Sequence, residues 1–312
     1  MKIVIIEPLG IKKEEVEKIY EEYTSEHEVV YYDTRVSDDE TLIERGKDAD
    51  IIVVANLPLN HYVLSNCPNL KLISVAFTGI DHLDVDYCKE NDIMICNSVG
   101  YSTVAVAEEV FGMIISLYRE LIASDQKTRN QETKDGLNLL EMAGKTIGVV
   151  GAGEIGQRVM KIAEVFDMHV LCYNRSVKDI PNVSFVDIDT LMKKSDIVTL
   201  HIPSTPSTHH FIDESKIALM KKNAILINTA RGAIVDSEAL AKALNEDKIA
   251  GAGIDVFEME PPIPASHPLL NSKNTILAPH IGFATKEALV KRAYVVFDNI
   301  KKYFVGNPQN IC

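Results

Sequence analysis

A chain of 312 residues, 46% hydrophobic and 25% charged, is long enough for two domains that each bury a core, and its balance is that of an ordinary globular protein. A net charge of −13 excludes the basic footprint that nucleic acid or an anionic membrane surface requires, so an anionic ligand has to find local positive groups. Cys67, Cys88, Cys96, Cys172 and Cys312 are scattered, without metal-ligand spacing, and read as reduced thiols; with no signal-peptide pattern and no apolar run of membrane-spanning length, the expected location is the cytoplasm.

The first hundred residues alternate short β-branched runs with helical patterns. Strands are expected at 2–6, 29–32, 51–54, 72–75 and 93–95, and helices at 12–23, 39–47, 61–65 and 85–90. This βαβα rhythm predicts a parallel sheet with helices on both faces. A longer helix follows, capped by Ser102 or Thr103, with Ala107, Val110, Phe111, Ile114, Leu117, Tyr118 and Leu121 at helical spacing. Between Ser124 and Met142 the chain turns polar and irregular, either a solvated loop or an arm that embraces a second subunit. The alternation restarts with strands at 146–150, 169–173, 197–201, 224–228, 249–253 and 275–277. A last helix at 285–304 sets Leu289, Ala293, Val296, Ile300 and Tyr303 on one face, which needs a domain surface to bury against. Two alternating blocks and a terminal helix predict two α/β domains.

The stretch from Thr146 to Gly156 carries the most chemistry. A buried strand runs into a G-x-G-x-x-G turn of Gly151, Gly153 and Gly156, and an amphipathic helix opens at Glu154 and Ile155. Gly151 permits the tight turn, Gly153 leaves no Cβ between backbone and a pyrophosphate, and Gly156 lets helix and strand pack closely, with helix N–H groups facing the phosphates. The second half of such a site lies about 20 residues on, where a carboxylate usually accepts from a ribose 2′-OH. Here the chain reads Asn174-Arg175-Ser176. The acid that would repel a 2′-phosphate is missing, and an arginine and a hydroxyl that suit one are present, which favours NADP(H) while leaving NAD(H) open.

Hydride transfer to a ketone leaves an alkoxide to be protonated, and a carboxylate substrate needs a cation. Three residues stand just past strand ends, where open α/β sheets place ligands: Arg231 after 224–228, Glu260 after 249–253 and His280 after 275–277. Taken singly, each has a structural explanation, as an ion-pair partner, a solvated acid or a loop cap.

In their order after the glycine turn, Asn228-Thr229-Ala230-Arg231-Gly232, the run from Asp255-Val256-Phe257 to Glu260-Pro261, and Pro279-His280-Ile281-Gly282 resemble the D-isomer-specific 2-hydroxyacid dehydrogenases. The Gly79-Ile80-Asp81-His82-Leu83 loop and Val106-Ala107-Glu108 extend the resemblance over nearly the whole chain. It implies that Arg231 binds the substrate carboxylate and 2-oxo oxygen, that His280 is the acid–base group, and that Glu260 pairs with His280 and orients it. Amides of Thr78 and Gly79 would complete the carboxylate cradle. Thr229, Ala230 and Asp255 would position the nicotinamide, with Thr103 beside it, and His201, Ile202, Pro203 and Thr208 would flank the adenosine half. The implied architecture is a Rossmann-type dinucleotide domain, 103–284, inserted into a discontinuous flavodoxin-like substrate domain, 1–102 and 285–312. Both are doubly wound parallel sheets. The resemblance also implies closure about the two crossings, and a homodimer joined through about 121–143.

Departures from the family pattern narrow the expectation. Phe283 stands where a small residue is common and would line or crowd the substrate pocket, and Tyr101 is either a second pocket residue or a packed tyrosine. Glu260, rather than glutamine, argues against a formate dehydrogenase site, and the chain's end at Cys312 disfavours a phosphoglycerate dehydrogenase with a regulatory domain. The expected protein is an NADP(H)-preferring reductase of glyoxylate or hydroxypyruvate giving the D-hydroxy acid, with no metal. The alternatives are an NAD-linked D-3-phosphoglycerate or D-lactate dehydrogenase and, in another class, a dinucleotide-sensing protein of the corepressor type.

Overall fold

The computed structural model describes residues 1–259 and 262–312. The chain forms two units, one of Met1–Ser102 with Ala284–Cys312 and the other of Thr103–Phe283.

The first unit runs β1 (Lys2–Ile5), α1 (Lys13–Tyr20), β2 (Glu28–Tyr31), α2 (Asp39–Gly46), β3 (Ile51–Val54), α3 (His61–Ser65), β4 (Leu72–Val75), α4 (Val85–Glu90) and β5 (Met94–Cys96). Its strands form a parallel sheet in the order β2-β1-β3-β4-β5, the flavodoxin-like winding. β3 and β4 are buried on both faces, which is why they do not alternate; β3 is wholly apolar, and the one polar residue of β4, Ser74, donates to the Val296 carbonyl. Asp38, Asn60 and Asp84 cap α2, α3 and α4 by accepting from the N–H three residues on. The helix expected at 12–23 ends at Tyr20 and tightens into a 3-10 turn through Tyr23, whose hydroxyl donates to the Phe297 carbonyl. At the winding reversal between β1 and β3, the fully buried Glu7 carboxylate accepts from the amides of Ala55, Asn56 and Leu57 and from Arg35.

The second unit contains α5 (Thr103–Tyr118), α6 (Leu121–Arg129), β6 (Thr146–Val150), α7 (Glu154–Val165), β7 (His169–Tyr173), β8 (Val183–Phe185), α8 (Ile188–Lys194), β9 (Ile197–Leu200), α9 (Glu214–Ile217), β10 (Ile225–Asn228), α10 (Ser237–Asn245), β11 (Gly251–Ile254) and β12 (Thr275–Leu277). All pairings in its seven-stranded sheet, β12-β11-β10-β9-β6-β7-β8, are parallel, and the winding reverses between β6 and β9. One core cluster joins α5, α7 and the sheet through Val110, Ile114, Val159 and Ile147, and a second joins α8 and α10 through Leu191, Leu240 and Leu226. The strand expected at 249–253 lies at Gly251–Ile254, two residues later at its start. Part of the polar stretch after Ser124 is helical, since α6 runs to Arg129. It buries none of its residues and is braced by Arg129 on Asp125 at 2.7 Å, so it carries no apolar period to betray it.

The chain then returns to the first unit as α11 (Lys286–Phe304), capped by Thr285. Ala288, Ala293, Val296, Phe297 and Ile300 are buried on its inner face, against α1 and β4, with Leu289 and Tyr303 half-buried at the margin.

Candidate active site

The glycine turn lies at the reversal between β6 and β9. Gly151 has φ +108°, and a Cβ there would overlap the carbonyl oxygen of His201 at the end of β9. A Cβ on Gly156 would overlap the Gly151 carbonyl, whereas one on Gly153 would meet nothing within 4 Å. Gly156 therefore serves packing, and Gly153 keeps open the space in front of the helix. Glu154 is exposed and Ile155 joins the core beneath. Gly153 occupies the N-cap of α7 and supplies no side-chain bond, while Asp187, Asp213 and Asp236 cap α8, α9 and α10. The first-turn N–H groups of α7, at the positive end of its dipole, are thus left for an anion.

The end of β7 is tied to this turn. Asn174 accepts from the Ala152 amide at 3.1 Å through Oδ1 and donates through Nδ2 to the carbonyl of Ser176 at 2.8 Å. Lys178 donates to the Ala152 carbonyl at 2.8 Å, which brings a second cation beside the exposed Arg175 and Ser176. Sequence reasoning stopped at Ser176; the lysine two residues on was the available signal. At the end of β9, Ile202 lies near the turn, within 3.0 Å of a Cβ placed on Gly151, and Thr208 donates to the Pro203 carbonyl at 2.7 Å, closing the loop. The His201 ring shares a 2.9 Å hydrogen bond with Thr199, and burial pushes its pKa down to about 3. It is neutral throughout the working pH range and is no proton donor there.

The loops after β10, β11 and β12 converge. Asn228 holds the first of them, accepting from the Ala230 amide and donating to the Arg231 carbonyl. Arg231 donates from Nη1 to the Ala230 carbonyl at 2.7 Å. A Cβ on Gly232 would overlap Phe257, so the two loops pack backbone to backbone. Among the described residues the buried Thr229 hydroxyl has no hydrogen-bond partner, and a polar ligand group would satisfy it. Asp255, 1% exposed, organises the His280 loop: its carbonyl accepts from the His280 amide at 2.8 Å, Oδ1 from Ile281 at 2.7 Å and Oδ2 from Gly282 at 2.9 Å. His280 takes the left-handed conformation, φ +58°, and the Phe283 ring meets its edge at 5.2 Å between centroids. Thr103 is half-buried at the first position of α5. Glu260 lies outside the described residues.

Two further acid groups here escaped the sequence reading. Glu258 and the buried His267 form a 2.9 Å pair; the Leu269 amide donates to Nδ1 of His267, which leaves Nε2 to donate to the carboxylate. Burial alone would raise the Glu258 pKa, but bonds from His267 and Ser237 outweigh it and lower the value. Glu109 of α5 lies beside Asp255, and burial, followed by the Asp255 charge, raises its pKa strongly.

In the first unit Thr78 is exposed and Gly79 half-exposed, and among the described residues neither amide donates to a backbone carbonyl. Tyr101 is 4% exposed, with the Phe77 ring at 6.4 Å and the Arg292 guanidinium 5.8 Å from its own ring centroid. Among the described residues no three acid, histidine or cysteine side chains cluster as a metal site, and no helix is long and apolar enough to cross a membrane.

A doubly wound sheet with an open glycine turn at its reversal, and an arginine and a histidine past the ends of β10 and β12 on either side of β11, defines a dinucleotide-dependent oxidoreductase. The chain belongs to the D-isomer-specific 2-hydroxyacid dehydrogenases: residues 111–282 match the model for the NAD binding domain of that family. It is 41% identical to a glyoxylate reductase of Thermofilum pendens over 266 residues, covering 82% of this chain and 78% of that protein. It is 39% identical to a D-3-phosphoglycerate dehydrogenase of Methanocaldococcus jannaschii over 98% of this chain but only 58% of the relative's length. Among solved structures, an acyclic imino acid reductase in complex with NADPH and D-Arg superposes with a TM-score of 0.91, at 33% identity and full coverage of both chains. The protein is accordingly an NAD(P)-dependent D-2-hydroxyacid dehydrogenase with two parallel-sheet α/β domains, acting on small 2-oxo or 2-hydroxy acids.

Proposed function

We propose that this enzyme uses NADPH in preference to NADH to reduce glyoxylate or hydroxypyruvate to the D-hydroxy acid. The observation that carries the cofactor choice is the end of β7. No carboxylate directly follows the strand; Asn174 is tied to the glycine turn, Arg175 and Ser176 are exposed just past it, and Lys178 donates to the Ala152 carbonyl, a set that suits a 2′-phosphate. The similarity to glyoxylate reductases supports the substrate choice.

Residues 103–284 are the dinucleotide domain in this reading, and 1–102 with 285–312 the substrate domain. The turn of Gly151, Gly153 and Gly156, with Glu154 and Ile155 opening α7, would receive the pyrophosphate at uncapped N–H groups. His201, Ile202, Pro203 and Thr208 flank the adenosine half. The Thr229 hydroxyl, Ala230, Asp255 and Thr103 belong to the nicotinamide end. The bound dinucleotide supplies a hydride to C2 of the oxo acid. Arg231 holds the substrate carboxylate and polarises the 2-oxo oxygen, and amides of Thr78 and Gly79 add donors to the carboxylate. His280 delivers a proton to that oxygen as negative charge develops on it, and takes one back in the oxidative direction. Glu260 is its proposed carboxylate partner. Phe283, packed on the His280 ring, bounds the space for the substituent on C2, which favours the small acids; Tyr101 is the proposed second boundary. The enzyme is proposed to work as a homodimer in the cytoplasm, with exposed Leu121, Ile122 and Leu139 in the subunit contact.

A D-3-phosphoglycerate dehydrogenase activity is the second reading, favoured by the 39% identity to the archaeal enzyme of that name. Absorbance of the reduced nicotinamide decides between them. The expected result is a higher kcat/KM for NADPH than NADH with glyoxylate or hydroxypyruvate. Faster turnover of NADH with phosphohydroxypyruvate would overturn it.

A further inference from the structure

Behind the His280 loop two carboxyl groups face one another, and only one of them has a place in the scheme above. Glu109 lies on α5, one turn inside the helix, with both carboxyl oxygens sealed from water. The Asp255 carboxyl, from the end of β11, lies beside it, both being packed against Gly282. Gly282 measures how tight this packing is: a Cβ there would overlap Oε2 of Glu109 and stand 3.1 Å from Oδ2 of Asp255.

As two anions these groups would repel each other and offer each other no donor. A single shared proton removes the repulsion and makes a hydrogen bond. The proton belongs on Glu109. Asp255 accepts the amides of Ile281 and Gly282, which favours its ionised form, while the Glu109 oxygens accept nothing among the described residues. The charged groups around the pair agree: Asp255 is the charge that acts on Glu109, His280 from the loop after β12 acts on Asp255 from its other side, and Glu108 on α5 itself is exposed to solvent.

We propose that Glu109 is a positioning residue for the acid–base loop: as a neutral acid it donates to the Asp255 carboxylate and holds it on the Ile281 and Gly282 amides, so that His280 keeps its left-handed backbone. The link to catalysis rests on His280 being the acid–base group, whereas the proton on Glu109 does not. The arrangement runs from a helix through a strand end to the reactive loop.

Three measurements on the intact protein test this. Infrared spectra of the wild type at neutral pH should contain a protonated-carboxyl stretch, absent from Glu109→Gln, that disappears on titration to alkaline pH. The Glu109 pKa is raised, to about 8, so its stabilising contribution is complete below the ordinary carboxylate range and is lost as pH rises towards 8. The melting temperature of Glu109→Gln, which keeps a donor that cannot ionise, should therefore gain on the wild type across that window and run parallel above it. In turnover, Glu109→Gln should hold kcat within about twofold at neutral pH and lose the part of the alkaline decline due to Glu109, whereas Glu109→Leu should lose about tenfold in kcat with KM for the dinucleotide little changed. A wild type without the neutral-pH carboxyl band, a band that survives in Glu109→Gln, or identical pH profiles for the two proteins would overturn the proposal. If no oxo acid is turned over at all, the infrared and melting arms still decide the state of the pair, so failure of the catalytic reading is seen separately.

Discussion

His280 is held in a backbone conformation that costs a β-carbon-bearing residue of order 1 kcal/mol or more, and three loop amides that donate to a single aspartate sustain it. Strain of this kind persists where the surroundings over-determine it, and here they fix where an imidazole is presented. His280→Ala should lower turnover by about 10²–10⁴-fold while dinucleotide binding, followed by nicotinamide fluorescence, is retained. Undiminished turnover would remove His280 from the mechanism. Gly282→Ala should be damaging, because Gly282 is buried and the added methyl group overlaps the Glu109 carboxyl; reduced kcat and a lower melting temperature are expected together. The strand ends that carry Arg231 and His280 were legible in the sequence, and the two residues were singled out there by the motifs shared with the family. Glu109 was not. A glutamate in a helical pattern looks solvated unless the loops after β11 and β12, some 145 to 175 residues later by the numbering of Asp255 and Gly282, are known to close over it.

Among the elements, β6, β7 and α7 were readable almost to the residue, since a doubly buried strand, three glycines at fixed spacing and an amphipathic helix each leave a local mark. What remained hidden was either too short or too wet to leave one. β8 is three residues long with no fully buried position, and α6 has no buried face. With Gly153 at its N-cap, α7 forgoes only a few tenths of a kcal/mol relative to its Asp-capped neighbours, a small cost consistent with reserving its amides for a ligand. Arg175→Ala should cut kcat/KM for NADPH by about tenfold and leave that for NADH within about twofold, since a charge-assisted bond to a 2′-phosphate is lost and nothing equivalent is lost with the ribose hydroxyl. An equal effect on both cofactors would show that the side chain does not read the 2′ group. In α11, Phe297 is fully enclosed and stacks at a tilt against Tyr20 and Tyr23, so Phe297→Ala should destabilise the protein by about 3–5 kcal/mol in denaturant titration, with little change in cofactor preference.

For the molecule as a whole, two parallel sheets were legible from the strand–helix alternation, whereas their winding came only from the family resemblance, because strand order depends on which way each crossover turns and not on any single segment. Within the chain's own pattern, the C-terminal helix showed only an apolar face in need of a partner, and its return to the first unit was implied by the family resemblance. The proposed subunit contact gives a direct test: light scattering should report a dimer, and Ile122→Asp should shift it towards monomer without altering the circular dichroism of the folded chain. The two sheets also differ in a way their shared architecture conceals. Each reverses its winding at a crevice suited to an anion, but in the first unit the crevice after β1 and β3 already contains one, the Glu7 carboxylate seated on three consecutive amides. That sheet is a nucleotide fold with a built-in occupant. Calorimetric titration with NADPH should accordingly saturate at one equivalent per chain, and the smaller sheet is left free to serve the substrate alone.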